Sequence, residues 1–271
     1  MSTEVVLLGT AGGPAPVAGR LGIATAVIVD GAVYLVDCGR GAPTAYVEAG
    51  LDPSALRAVL VTHQHIDHVG DLGGMLLYPW GGREGVPPIQ VVGPDVVQLV
   101  AGLLEAFDDH LRFMPQDVPM PDITGLVRAH DLAPTDEPVT VLDDGAIRIT
   151  AISVRHGRAP SFGYRFDTAD GSVVVSGDTV ADRRLEVLAA GADLLLHEVV
   201  DLERVPEEQR GDLRALHTDV SDVGGVAERA GVRRLVLTHL LPPDPSLDWT
   251  GRVQTHLDVI VGSDGLRLPL P

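Results

Sequence analysis

The segment Thr62 to Gly70 reads THQHIDHVG, which puts three histidines and one aspartate between positions 63 and 68, directly after the apolar pair Leu60-Val61. Imidazole and carboxylate are donors that a divalent cation takes from protein. A packed core avoids them at this density, because each desolvated polar side chain would need its own partner. His63 and His65 alternate on one face of an extended turn and can reach one ion. Asp67 and His68 come from the following turn and point toward a neighbouring position, so two metal positions are expected. A helix starting near Val69 to Leu72 would add positive potential for an anion or a bridging hydroxide.

A two-ion centre needs more donors than these four, and three further candidates follow apolar runs of strand length. His156 comes after Ile149 to Val154, Asp178 sits in VSGDT after Val173 to Ser176, and His239 ends LTH after Leu235 to Leu237. Strand ends in layered sheets are where distant residues converge on one site. The runs form two series, Val5 to Leu8 through Ile147 to Ile152 and then Tyr164 to Phe166 through Val259 to Val261, separated by Gly, Pro and Asp turns. Helical patterns lie between them at Pro43 to Ala49, Leu72 to Leu77, Asp95 to Phe107, Arg183 to Ala190 and Ser221 to Ala230, the last closing at Gly231. Two strand series with interspersed helices predict a layered α/β architecture, two sheets with helices outside. Residues 110–135 have no clean period and are expected to be a surface excursion or a lid over a pocket.

The 271 residues are expected to form one domain, with no signal peptide, no membrane span and a cytoplasmic location. The lone Cys38 excludes an internal disulfide and reads as a buried small hydrophobe. All 20 basic residues are arginine, which excludes a lysine Schiff base. A net charge of −18 opposes a long phosphate backbone. His110, His130, His197 and His256 are assigned no chemistry; alternation should turn His197 away from the site. Trp80, Phe113, Met114, Met120 and Phe162 are core or pocket lining. Arg155 and Arg158, flanking His156, are expected to be solvated.

With these residues in place the chain resembles the metallo-β-lactamase-fold hydrolases, whose H-x-H-x-D-H is His63-Gln64-His65-Ile66-Asp67-His68 here and whose later single ligands match His156, Asp178 and His239. The resemblance implies a four-layer αββα sandwich with two Zn2+, iron or manganese being alternatives. His63, His65 and His156 would hold one ion, Asp67, His68 and His239 the other, and Asp178 would bridge. The ribonuclease Z and arylsulfatase-like branch is closest, on LLGTAGG at Leu7 to Gly13, LVDCGRG at Leu35 to Gly41, SFGYRF at Ser161 to Phe166, LLHEV at Leu195 to Val199 and ALHTD at Ala215 to Asp219. Likeness to that branch implies that His217 gives a proton to a leaving group or holds an oxyanion, with Glu198 orienting its ring. Asp67 either only ligates or also accepts a proton.

Two departures from ribonuclease Z weigh on the substrate. Gly157 to Gly177 leaves no room for a long basic arm gripping transfer RNA, and GGPAPVAGRLGIAT keeps Arg20 but has Leu21 where the pattern has asparagine. The first expectation is therefore a dinuclear zinc hydrolase that uses a metal-bridging hydroxide on a small ester-like substrate: a phosphodiester, sulfate ester, lactone or β-lactam. It carries no nucleic-acid or membrane partner, and a homodimer stays open. The second reading is a transfer-RNA 3′-processing endonuclease, and the third a metal-stabilised binding protein without turnover.

Overall fold

The computed structural model describes residues 2–270 apart from 245. Among the described residues, fourteen strands form two seven-stranded sheets. The first contains β1 (Thr3–Gly9), β2 (Ala24–Val29), β3 (Ala32–Val36), β4 (Leu56–Leu60), β5 (Ile89–Gly93) and β6 (Val127–Asp131). The second contains β7 (Val139–Asp143), β8 (Ile147–His156), β9 (Ala159–Thr168), β10 (Gly171–Val175), β11 (Leu194–Val200), β12 (Arg234–Leu241) and β13 (Asp258–Val261). The last strand, β14 (Leu266–Pro269), crosses back to pair antiparallel with β1 at the edge of the first sheet. In the second sheet β10 to β13 run parallel while β7 to β10 are antiparallel neighbours.

Alternation along the strands explains the layers, because successive side chains leave opposite faces of a sheet. Val5 and Leu7 face the inter-sheet core with Val27, Leu60, Phe162, Tyr164 and Phe166. Their neighbours Val6 and Leu8 face outward, under α1 (Ala42–Glu48), α2 (Ile66–Val69), α3 (Leu72–Leu77) and α4 (Val96–Ala106). The outer face of the second sheet is covered by α6 (Arg183–Leu188) and α8 (Val220–Ala230), with Val174, Leu195 and Leu235 beneath them. The remaining helices, α5 (Asp108–Asp117) and α7 (Glu207–Leu216), bury no residue completely. The expected αββα sandwich is the observed fold. Cys38 is buried in the outer core of the first sheet. No helix among the described residues is long and apolar enough to cross a membrane.

Several expected elements differ in detail. A helix does begin at Leu72, as α3, but an unexpected single turn, Ile66–Val69, precedes it, and Asp67 and His68 lie within that turn. Residues 110–135 are not structureless: most of α5, with Pro115 inside it, leads to a short helical turn and to β6. Trp80 packs with Leu77 and Leu126, and Met120 lies against them, as a satellite core; Phe113 and Met114 are exposed. Phe162 belongs to the inter-sheet core.

The segment between β10 and α6 carries Asp178 and is anchored by Asp182. That carboxylate accepts from the backbone N–H of Arg184, capping α6, and from the N–H of Arg155 on β8. Arg155 itself, expected to be solvated, lies 3.4 Å from Asp182 while remaining exposed. Burial alone would raise the Asp182 pKa, yet the hydrogen bonds and charge of Arg184 hold it below the usual carboxylate range. Asp182→Ala is expected to cost about 1–2 kcal/mol in urea denaturation, and Asp182→Asn less, because the amide oxygen still caps. Equal stability of Asp182→Ala and wild type would show that this anchor contributes nothing.

Candidate metal centre and catalytic cleft

His63, His65, Asp67, His68, His156, Asp178 and His239 come together at one end of the sandwich. The three sets His63–His65–His156, His63–His68–Asp178 and Asp67–His68–His239 each have donor atoms within 4.8 Å of one another. Asp178 is the centre: its Oδ2 lies 3.4 Å from His68 Nε2 and His239 Nε2, 3.8 Å from His156 Nε2 and 3.9 Å from His63 Nε2. Asp67 Oδ2 lies 3.4 Å from His239 Nε2 and 3.7 Å from His68 Nε2.

Four of the donors, His68, His156, Asp178 and His239, are aimed by specific local devices. His68 Nδ1–H donates to the buried Asp37 carboxylate at 2.8 Å, leaving Nε2 for the cluster. His156 Nδ1–H donates to the Leu216 carbonyl at 2.9 Å, with the same result. Such bonds fix ring orientation and tautomer in metal sites. Gly177 turns the chain before Asp178 with φ 61, and a Cβ there would lie 2.5 Å from the Phe162 carbonyl oxygen. His239 does not follow its strand but sits within β12, as the unpaired residue of a bulge between Thr238 and Leu240, with φ 45. A bulge re-aims a side chain next to a site. Gly12 makes room for that ring: a Cβ there would lie 2.8 Å from His239 Nδ1.

The donor set fits divalent ions on the structure's own evidence. His63 Nε2 and His68 Nε2 are buried without a hydrogen-bond partner. An unsatisfied buried polar atom costs about 1–3 kcal/mol, so packing alone gives no reason for the arrangement. His156 Nε2 and His65 Nδ1 face each other at 3.2 Å. Two nitrogens on one tetrahedral zinc at 2.0–2.1 Å would be about 3.4 Å apart. Electrostatics reinforce the fit. Burial, then the neighbouring His68, holds the His63 pKa far below its usual value, so that ring is neutral. Burial would raise Asp178, but His239 and His68 push it well down. Burial likewise opposes ionisation of Asp67, yet the hydrogen bond from His239 holds it at about 2.

His217 and Glu198 complete the cluster. His217 Nδ1 lies 3.3 Å from Glu198 Oε2 and 3.9 Å from Asp178 Oδ2, ion-pair distances without an aligned hydrogen bond. Burial would lower its pKa, but the Glu198 and Asp178 carboxylates override it and raise it to about 9. Glu198 Oε1 is fixed by the N–H groups of Thr218 at 2.8 Å and Thr179 at 3.3 Å. His197 points away as alternation requires, fully buried, its Nδ1 bonded to the Glu198 carbonyl. His110, His130 and His256 are exposed and remote from the cluster, His130 pairing with Gln90 and His256 with Glu228. A cavity of about 590 Å³ opens beside the cluster, with His65, Asp67, His156, Asp178, His217 and His239 on one side. The rest of its lining comes mainly from α7, the loop before it and the end of β12 with Pro242 and Pro243, together with Gly13 and Pro14 after β1 and Ile66 of α2. No residue of 110–135 is among the described residues lining it. The sequence reading missed two contributors: Asp37, inside the quoted LVDCGRG segment, and α7, whose single amphipathic face was the available signal.

Two sheets packed face to face, helices outside, and a histidine–aspartate cluster at the strand ends define the class. Residues 33–240 match the model of the beta-lactamase superfamily domain. The chain belongs to the metallo-β-lactamase superfamily and is a metal-dependent hydrolase of ester-type bonds. Within it the chain falls in the ribonuclease Z-like branch: it is 38% identical over 262 residues to a Ribonuclease Z of Mycobacterium sp. (strain KMS), covering 93% of this chain and 90% of that relative. Human tRNase Z, short form, superposes with a TM-score of 0.76 at 22% identity over 99% of both chains. The Bacillus subtilis metallo-β-lactamase fold protein YhfI gives 0.74 at 20% identity, covering 99% of this chain and 100% of that one.

These relatives overturn the expectation of a small-molecule substrate without nucleic acid. The mycobacterial relative aligns over nearly its whole length, with no room for a long internal arm inside the aligned span. A short interval between His156 and Asp178 therefore does not separate this chain from proteins of that name. The net charge misled because it averages over the surface, whereas phosphate contacts depend on where a few arginines stand.

Asp178→Ala is expected to abolish tight binding of divalent metal, and Gly12→Ala to weaken it by crowding His239. Elemental analysis after dialysis reads both. Wild-type metal content in Asp178→Ala would remove the carboxylate from the centre.

Proposed function

We propose that this protein is a ribonuclease Z-type endoribonuclease that hydrolyses one phosphodiester bond of a precursor transfer RNA, with two divalent ions, zinc by donor type, as cofactors. The observation that carries the reading is the His217–Glu198 pair set 3.9 Å from the central Asp178 at the edge of an open cavity, in a chain with ribonuclease Z relatives. A structural metal site is normally closed by four protein donors; seven donors beside a cavity favour turnover over a purely structural role. A cytoplasmic location goes with that substrate.

His63, His65 and His156 would hold one ion and Asp67, His68 and His239 the other, with Asp178 between them. When bound, such ions supply Lewis acidity to a phosphoryl group and make water a nucleophile near neutral pH. The protein's own residues then supply position and protons. Asp67 stands at the rim of the cluster and takes the proton as the water oxygen bonds to phosphorus. His217, its Nδ1 side turned to Glu198, presents its other ring nitrogen to the cavity and gives a proton to the oxygen that leaves as the old P–O bond breaks. Glu198, itself held by two backbone N–H groups, keeps that ring in place.

Metal-loaded protein is expected to cut a precursor transfer RNA at a single position near its 3′ end, losing rate as salt rises. His217→Ala should lower kcat about 10²–10⁴-fold, with metal content unchanged. Undiminished kcat in that variant would remove His217 from the chemistry, and no cleavage by wild-type protein would end the reading.

A further inference from the structure

The cavity beside the cluster has two unlike sides. Opposite the polar groups, Val205, Leu213, Leu216, Leu241 and Pro242 form an almost wholly apolar shelf. Leu213 and Leu216 come from one face of α7, which buries none of its residues completely, and both are half-buried. Leu213 rests on the small buried cluster of Val200, Leu202 and Val205, and together with Leu216 it turns the rest of that apolar face to the cavity. The shelf also has a fixed side. Leu216 directly precedes His217, its carbonyl orients His156, and the β8–β9 turn abuts it: a Cβ on Gly157 would lie 2.6 Å from its methyl. The apolar surface thus lies on the side of the cluster from which the proton for the leaving oxygen comes.

Arg204 is the only arginine among the described residues lining the cavity. Its Nε lies 4.0 Å from Asp201, whose carboxylate is already engaged by Arg252 at 2.8 Å. Arg204 is thus exposed and loosely held. Arg210 pins the loop on which it stands, bonding the carbonyls of Val205 and Glu203.

We propose that this shelf is a nucleoside subsite. It takes the base of the nucleoside whose oxygen leaves, stacked flat on Leu213, Leu216 and Pro242, while Arg204 meets the next phosphate along the strand. The inference rests on the endoribonuclease reading above. A base has an apolar face whatever its identity, and the shelf offers one amide side chain, Gln209, able to read a base edge. Recognition here is of a base rather than of a particular base, as in other stacking platforms. An arginine at the mouth of an otherwise uncharged shelf complements one phosphate, not an extended backbone, which agrees with the strongly acidic chain.

The test uses metal-loaded full-length protein and precursor transfer RNAs with one abasic nucleoside, placed in turn on either side of the cut. Product end-groups identify the sides: the fragment ending in a free hydroxyl is the leaving one. In wild-type protein an abasic site at that fragment's end is expected to raise KM about tenfold with kcat kept, the scale for withdrawing some tens of Å² of apolar surface from water. On the other side the change should stay below about threefold. Leu213→Ser should erase the difference between base and abasic substrates. Arg204→Ala should raise KM for both and reduce the slope of log KM against log salt by about one. Cleavage of intact precursor with equal KM for base and abasic substrates would overturn the subsite and leave the endoribonuclease reading standing. Failure of wild-type protein to cut any precursor would overturn both. The abasic comparison needs no variant, so poor folding of Leu213→Ser would not blunt it.

Discussion

The site hangs on one buried carboxylate. Asp37, at the end of β3 in a left-handed backbone conformation (φ 59), accepts from the backbone and hydroxyl of Thr62 and from His68 Nδ1, each at 2.8 Å. A desolvated carboxylate is costly unless its lone pairs are filled, so these three bonds are obligatory and mutually dependent. Thr62 in turn gives its carbonyl to the Phe162 N–H, and the Tyr164 hydroxyl donates to the Val61 carbonyl. The first sheet's histidine turn is thereby stitched to β9 of the second sheet, which brings His63 and His68 to the same place as His156 and Asp178. The distances between the donors follow from that stitch.

The polar cluster and the inter-sheet core make opposite demands. The core gains from every valine or leucine it buries, on the order of 1.5–3 kcal/mol each. The cluster buries imidazole nitrogens, those of His63 and His68 among them, that have no hydrogen-bond partner. A fold can carry such a group only where something else compensates, and a pair of divalent cations between Asp178 and its surrounding nitrogens would do so. The compensation is needed at one end of the sandwich, where loops rather than strands form the walls. That is also where the chain can leave an opening, and α7 borders it without closing it.

The mycobacterial relative and the cavity geometry together change what the acidic composition means. A chain at −18 cannot hold a duplex by broad counterion release. It can still present a few arginines beside a reactive centre, and the arrangement of Arg204 near Asp201 is of that kind. On the proposed reading the protein holds its RNA by local contacts at the cut rather than by a basic surface.

Periodicity and motif spacing determined a great deal. The αββα layering follows from the two series of alternating apolar strands, and the candidate donors from H-x-H-x-D-H together with polar residues after apolar runs. Both are local, one-dimensional signals with a single physical reading. What escaped were features that depend on non-local partners. β14 is a four-residue edge strand with an arginine and a terminal proline, legible only once β1 offers it an edge. The bulge at His239 exists because β11 supplies one residue opposite two. Asp37 is an ordinary aspartate in sequence and becomes the keystone only when Thr62 and His68 close on it. The wall of the cavity fell to α7 rather than to residues 110–135, because hydrophobic pattern says that a helix has an apolar face but not what that face will meet. The sequence thus determined which groups could do chemistry, through residue type and spacing. The tertiary structure decided which of them meet, because convergence is set by sheet pairing and by the hydrogen bonds that buried polar groups must make.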